Sequence, residues 1–594
     1  MQVNYYSYLK TLLGKKRTLL VDSNIISTRL MILAMPMLGL VIQCLLFLFG
    51  HNCSPFPIWI SFFCLSLLAF FLHWRCLLKF WVLIGLGLFL TAFTFSYSDY
   101  DSEVYHIPMQ LLLREGWNPI FDSTIEKFND IVDASSLSVH HTLFLPKTSA
   151  LCGALVSQAT GLWIADSFLG YMLLFSLLNT SYLFAQRIWN CHRFASLIFA
   201  IMITFTTKVT TMLCGQVDYA MYASLLIALL SLALYSLDFK THDYILAILA
   251  SVICCTIKTT GLVSCALLWG IFALCYCNRK ETYIGILSMA LLVILVGMAP
   301  LATAWIQYGS PFYPSMTFNP KITPVDITGD FTANADGEKM GYVARIVYAW
   351  VSPRLASKAC SIYYHQSNFN PVFNVLHGVN GLGTFLNLIL CGSILLLILA
   401  PKNIVSWICL FILISANFSP LKYIGYARYF PQVWAVIPLG FYQFINHKPS
   451  WLGKISRFHH CIDYTLYFIL ISLSLSSMLK ICTYQAGSMI IEGHRQQLLS
   501  QIKSDNTIFL LPANTRRGYT LSRRLASEHI NFEISQLKMD MEHFEEDTLF
   551  PCFKNYYMTT WKCNKEYAVG NGVSSIMRFK WTHIFKYFPH PVLY

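Results

Sequence analysis

The stretch LMILAMPMLGLVIQCLLFLFG, Leu30–Gly50, contains no charged side chain. As a helix rising 1.5 Å per residue it is about 30 Å long, the thickness of the hydrocarbon core of a bilayer. Unbroken apolar runs of similar length recur along the chain, whereas a transmembrane β-barrel would show alternating segments of roughly 10 residues. The composition agrees: 56% of the 594 residues are hydrophobic and 12% charged, against roughly 25% charged in soluble domains. Mean hydropathy is +0.53. Too few polar residues are present to cover a soluble protein of this size, which excludes an ordinary soluble enzyme, a disordered chain and a disulfide scaffold. The expected fold is an all-α polytopic membrane protein.

Working outward from Leu30–Gly50 gives about thirteen transmembrane helices. They fall near 31–50, 57–75, 77–95, 167–188, 194–213, 217–237, 243–257, 260–277, 283–304, 382–400, 403–419, 429–446 and 462–481. The run Tyr244–Cys277 is too long for one helix and is divided at Lys258. This leaves an N-terminal segment 1–29, a membrane domain 30–481 with long outer stretches near 96–165 and 306–380, and a tail 482–594. Residues 1–29 are too polar for a cleavable signal peptide, and the first apolar run is long enough to span.

Net charge is +13, yet its placement argues for anchoring rather than nucleic acid. With the N-terminus inside (Lys10, Lys15, Lys16, Arg17, Arg29), every second gap is basic. These gaps hold Arg75 and Lys79; Arg187 and Arg193; Lys240; Arg279 and Lys280; Lys402; and Lys448, Lys454 and Arg457. That is the positive-inside pattern. It puts both long stretches and the tail outside. Most of the 19 cysteines, among them Cys44, Cys64, Cys254, Cys255 and Cys409, lie in apolar runs as small hydrophobes. Cys552 and Cys563 lie in the polar tail and could pair in an oxidising space. The tail reads as a small mixed α/β domain: a strand at Ile508–Leu511 ended by Pro512, a helix over Ser522–His529 and a strand near Asn531–Ile534. Its Arg516, Arg517, Arg523 and Arg524 read as a solvated basic face, or as a contact for anionic glycan or lipid headgroups.

Chemistry is expected at the outer interface. In Ser98-Asp99-Tyr100-Asp101-Ser102-Glu103-Val104-Tyr105-His106-Ile107-Pro108, three carboxylates crowd together just past an apolar run. Repulsion and partial burial raise carboxylate pKa values, which suits a general base or one ligand of a divalent cation, Mg or Mn. A solvated, helix-capping loop is the plainer alternative. Met109–Arg114 reads as a short amphipathic helix lying on the membrane surface, and Ala150–Leu162 as a second interfacial helix. His140 and His141 lack an identifiable third ligand for zinc. Lys147 either meets a phosphate or snorkels. Asp218 opens the sixth span as a functional acid or as a helix cap. Lys258 and Arg428 fall at outer turns. Acids and cations on one outer face suit a phosphate-bearing lipid substrate, with cations holding the leaving phosphate and an acid taking the acceptor's proton.

The order of these features resembles the GT-C superfamily of polyprenyl-phosphate-sugar-dependent glycosyltransferases, in the bacterial branch related to protein O-mannosyltransferases and to the aminoarabinose transferases of lipid A. The resemblance rests on Asp101-Ser102-Glu103-Val104-Tyr105-His106-Ile107-Pro108, Pro146-Lys147, Asp218, Ile257-Lys258-Thr259-Thr260-Gly261, Gly309-Ser310-Pro311-Phe312-Tyr313-Pro314 and Arg428-Tyr429, and covers about 90–450. Glu103 stands where the family often has a small residue, and three spans precede the acidic loop where many relatives have one. The resemblance implies a GT-C-like arrangement of helices in the bacterial inner membrane. Asp101, with Asp99 and Glu103, would activate the acceptor. Asp218, Tyr105 and His106 would support the acceptor site or a metal. Lys147, Lys258 and Arg428 would face the donor phosphate. Partners would be a polyprenyl-phosphate-sugar donor, a glycan, lipid or protein acceptor, and membrane lipids. Competing readings are an O-antigen-type polymerase or ligase, a polysaccharide or lipid transporter, and a non-catalytic GT-C-like subunit. The first usually leans on outer arginines, and 306–380 offers Arg345 and Arg354. The second favours mid-span charge, which these runs lack.

Overall fold

The protein is described by a computed structural model over residues 23–94, 106–122, 146–205, 217–309, 384–417, 431–447, most of 461–482, 509–512 and 518–535. Helices dominate it: α1 Ser23–Leu48, α2 Phe56–Leu72, α3 Trp74–Ala92, α4 Ile107–Arg114, α5 Thr148–Thr160, α6 Phe168–Trp189, α7 Arg193–Thr204, α8 Asp218–Asp238, α9 Thr241–Ile257, α10 Thr259–Cys275 and α11 Lys280–Tyr308. After them come α12 Thr384–Leu399, α13 Ile404–Asn417, α14 Val436–Asn446 and α15 Cys461–Leu479. Six of these (α1, α3, α6, α8, α11 and α15) carry segments long and apolar enough to cross a membrane. The chain is a polytopic helical membrane protein.

Burial sorts the six into a centre and a rim. The apolar windows of α6 and α8 are 83% and 89% enclosed by protein, against 28% for α3, 28% for α11 and 24% for α15. Lipid tails are as apolar as leucine, so close packing rather than hydrophobicity decides which helices go to the centre. α8 carries Ala220, Ala223, Ser224, Ala228 and Ser231, and packs closely on α9, which carries Ala247, Ala250, Ser251 and Cys254. The rim helices turn large apolar side chains outward, among them Phe71, Trp74, Phe89, Ile284, Leu291 and Trp305. Cys64 is also exposed on the rim, so it faces outward rather than joining the buried cysteines.

The division at Lys258 is real. Lys258 ends α9 and precedes α10 with an extended backbone, φ −150° and ψ 139°. Gly261 lets the first turn of α10 fold tightly back on α9: a Cβ there would collide with the backbone carbonyl of Cys254.

Contacts between helix ends define two ends of the bundle. At one end the start of α1, the end of α6, the end of α8 and the start of α9 meet through Arg29, Arg187, Asp238 and Asp243. These residues belong to the basic gaps of the sequence. At the other end Thr94, just past α3, bonds Tyr171 in α6 at 2.7 Å, and Asn118 donates to the carbonyls of Phe47, in the last turn of α1, and His51, just after it. The described parts of the 96–165 stretch, 106–122 and 146–165, pack at this second end.

In the tail, β1 Phe509–Pro512 and β2 Phe532–Ser535 pair in parallel, with helix α16 Gly518–Ser527 between them. The local strand–helix–strand order follows the sequence expectation; beyond 482, 509–512 and 518–535, the tail lies outside the described residues.

Candidate functional site at the long-loop end

The site grows from the first residue of α8. Val217 occupies the cap position without a side-chain hydrogen bond, so Asp218 does not serve as the cap. Its carboxylate, with a side chain 4% exposed, instead accepts a hydrogen bond from Lys258 Nζ at 2.5 Å. The ion pair thus clasps the start of α8 to the junction of α9 and α10. Thr148, at the start of α5, donates to the carbonyl of Thr256 at 2.9 Å, which brings Lys147 to the same junction. Two of the expected charged residues, Asp218 and Lys258, are therefore brought together from positions far apart in sequence, while Lys147 precedes the α5 start that Thr148 fastens to the end of α9.

Lys147 does not snorkel. It is buried, with its ammonium 5.3 Å from the centroid of the Trp117 ring. Desolvation pushes its pKa down to about 7, because a buried ammonium is costly to keep charged. The aromatic face offsets part of that cost.

α4 is also placed differently from expectation. All of Ile107–Leu113 is buried, so the helix is wedged beneath α5 rather than lying on the membrane surface. Apolar and polar faces alike are enclosed, because α5 covers the side that an isolated amphipathic helix would turn to water. Gly153 of α5 makes room for this: a Cβ there would stand 2.7 Å from Oε1 of Gln110 and 3.0 Å from the backbone of Asp166. Gln158 ties the pair further, donating to the carbonyls of Arg114 at 2.9 Å and Cys53 at 3.2 Å.

The tail docks on this platform. Arg523 of α16 meets Glu115 at 3.0 Å, and the guanidinium of Arg524 lies 5.1 Å from the Trp163 ring centroid while pairing with Glu528. These arginines are thus engaged by protein, not arrayed as a solvated face. Both partners of the Arg523–Glu115 pair are about one-third exposed, so it contributes about 0.2–1 kcal/mol. Glu115→Arg is expected to increase protease cleavage of the tail in the purified full-length protein, and adding Arg523→Glu to restore the pairing. Equal cleavage in both variants would show that this contact does not hold the tail.

His106 is buried beside α4. Asp99, Asp101, Glu103, Tyr105, His140, His141 and Arg428 lie outside the described residues, as do Ser310–Pro314, Arg516, Arg517, Cys552 and Cys563. Among the described residues no group of His, Cys, Asp and Glu is arranged to hold a metal ion. Sequence reasoning missed Trp117, Gln110 and the buried Asp166; an acid two residues before a span, in Ala165-Asp166-Ser167, was the available signal.

Comparison with known protein families, with curated proteins and with solved structures finds no match for this chain.

Proposed function

We propose that the protein is a membrane glycosyltransferase of GT-C type that moves a sugar from a polyprenyl-phosphate carrier to a glycan, lipid or protein acceptor, on the outer face of a bacterial inner membrane. The observation that carries this reading is the Asp218–Lys258 ion pair where α8 meets the α9–α10 junction of a helical membrane bundle, with the start of α5, next to Lys147, fastened to the end of α9. Lipid-linked substrates present their phosphate at the membrane interface, where Lys258 and the protonated form of Lys147 would supply the cations that meet it. A phosphate leaving group develops charge in the transition state, and preorganised cations away from bulk water stabilise it. Asp218 holds Lys258 in place, and Asp101, with Asp99 and Glu103 beside it in sequence, supplies the base for the acceptor hydroxyl. In sequence Asp101 stands six residues before Ile107, the first residue of α4.

The test is complementation. Surface lipids and glycans from cells lacking the gene are compared by mass spectrometry with those from cells carrying the wild-type or Asp101→Asn protein. The reading expects one species to lose the mass of a sugar on deletion, to regain it with wild type, and to remain unmodified with Asp101→Asn at equal membrane levels. Full restoration by Asp101→Asn removes Asp101 as the base; no mass change on deletion removes the transferase reading.

A further inference from the structure

The opposite end of the bundle holds a cluster of charge that the transferase reading does not use. Arg29 of α1 is completely enclosed, yet it pairs through Nη2 with Asp243 of α9, which is equally enclosed. Asp243 also accepts from Arg187 of α6 at 3.3 Å, so one carboxylate lies between two guanidinium groups. Arg187 reaches Asp238 at 3.6 Å, Lys240 lies 3.3 Å from the same carboxylate, and His242 Nε2 is 3.5 Å from Asp243 Oδ2.

Two features of this cluster point to a ligand. Among the described residues three permanent cations, Arg29, Arg187 and Lys240, face two carboxylates, Asp238 and Asp243. Moreover, buried nitrogens remain without hydrogen-bond partners: Nε and Nη1 of Arg29, Nη2 of Arg187 and Nε2 of His242. An unpaired buried donor costs free energy, more so when charged. The surplus is one positive charge with several donors, and guanidinium forks match the oxygens of a phosphate. The cluster is open at one side, because Lys240 and Asp238 are 43% and 41% exposed. Nearby, Ile245 and Phe194 are also exposed and apolar, as a surface flanked by lipid chains requires. The basic gaps place this end on the anionic cytoplasmic leaflet, where basic pockets between membrane helices take lipid headgroups.

We propose that the Arg29–Arg187–Lys240–His242 constellation binds a phosphate group, carried by an anionic lipid headgroup or free in solution. The phosphate supplies the missing negative charge, accepts from Arg187 and Lys240 at the mouth, and lies in the field of the enclosed Arg29. Occupation locks the ends of α1, α6, α8 and α9 together.

The experiment is thermal unfolding of the full-length protein in nanodiscs of phosphatidylcholine, of phosphatidylcholine with phosphatidylglycerol, and of phosphatidylcholine with added inorganic phosphate. A rise of about 2 °C or more with phosphatidylglycerol alone, absent in Lys240→Gln, supports the site with a lipid as its source. The same rise with inorganic phosphate, also absent in Lys240→Gln, supports the site with free phosphate as its source. Lys240 is surface-exposed, so its variant folds; Arg187→Gln is the second variant and is expected to lose the rise as well. No rise with either phosphate source, or a rise that both variants retain, overturns the proposal.

Discussion

Asp243→Ala is expected to be among the most destabilising single substitutions in this protein, costing about 3–5 kcal/mol. The carboxylate is fully enclosed and bonded to two guanidinium groups, one of them also fully enclosed. Removing it leaves Arg29 in a low-dielectric interior facing Arg187, with no counter-charge of its own. Stability of 5–15 kcal/mol is ordinary for a folded domain, so the loss is a large share of the whole. Asp238→Ala removes a carboxylate that is 41% exposed, and solvent screening holds its effect within about 1 kcal/mol. The second control is the pair Arg29→Met with Asp243→Ala. Deleting both members of a buried ion pair is far milder than deleting one, and Arg187 keeps Asp238 as a partner. Thermal unfolding of the purified full-length variants measures all three. If Asp243→Ala melts with wild type, the buried network does not hold the helix ends together.

Lys147→Met is expected to reduce sugar transfer about 10²–10³-fold, the usual cost of losing one preorganised group that stabilises developing negative charge. Met retains the apolar stem that packs beneath Trp117, so the protein should still fold and insert. The pH dependence makes the prediction specific. Burial holds the lysine near pKa 7, so the cation that on the proposed function would meet a phosphate is present below about pH 7 and is lost above it. kcat/KM for the lipid-phosphate donor should therefore fall about tenfold per pH unit above 7, since one pKa unit corresponds to 1.36 kcal/mol. Lys147→Arg should flatten that fall, because the guanidinium stays charged. The stability sign runs the other way. A folded-state pKa below the unfolded value of 10.5 means that stability rises as pH goes from about 7 to about 10.5. A pH profile shared by wild type and Lys147→Arg would remove Lys147 from the reaction.

Much of the helical layout was legible because membrane helices are written in uninterrupted apolar length. The first apolar run lies in α1, although that helix starts at Ser23, inside the segment 1–29 expected to precede it, and the break at Lys258 follows from a run too long for one helix. The alternation of basic gaps likewise anticipated which helix ends meet: Arg187 and Lys240, from separate gaps, share the Asp238 carboxylate. The tail's strand–helix–strand order was readable from Pro512 and from the apolar residues of its two strands.

Partnership was not legible. Arg29 reads in the sequence as a surface anchor and is instead fully enclosed, because Asp243, 214 positions away, waits at the start of α9. Asp218 reads equally well as a helix cap, and only the fold of α9 back along α8 delivers Lys258 to it. α4 has the pattern of a surface helix, and only α5 lying over it turns it into core. The sequence by itself determined that the chain lives in a membrane, where its long apolar runs fall and which gaps are basic, since each depends on local hydropathy and charge. The tertiary structure alone decided which charges are paired, buried or stacked, since those depend on contacts between residues far apart along the chain.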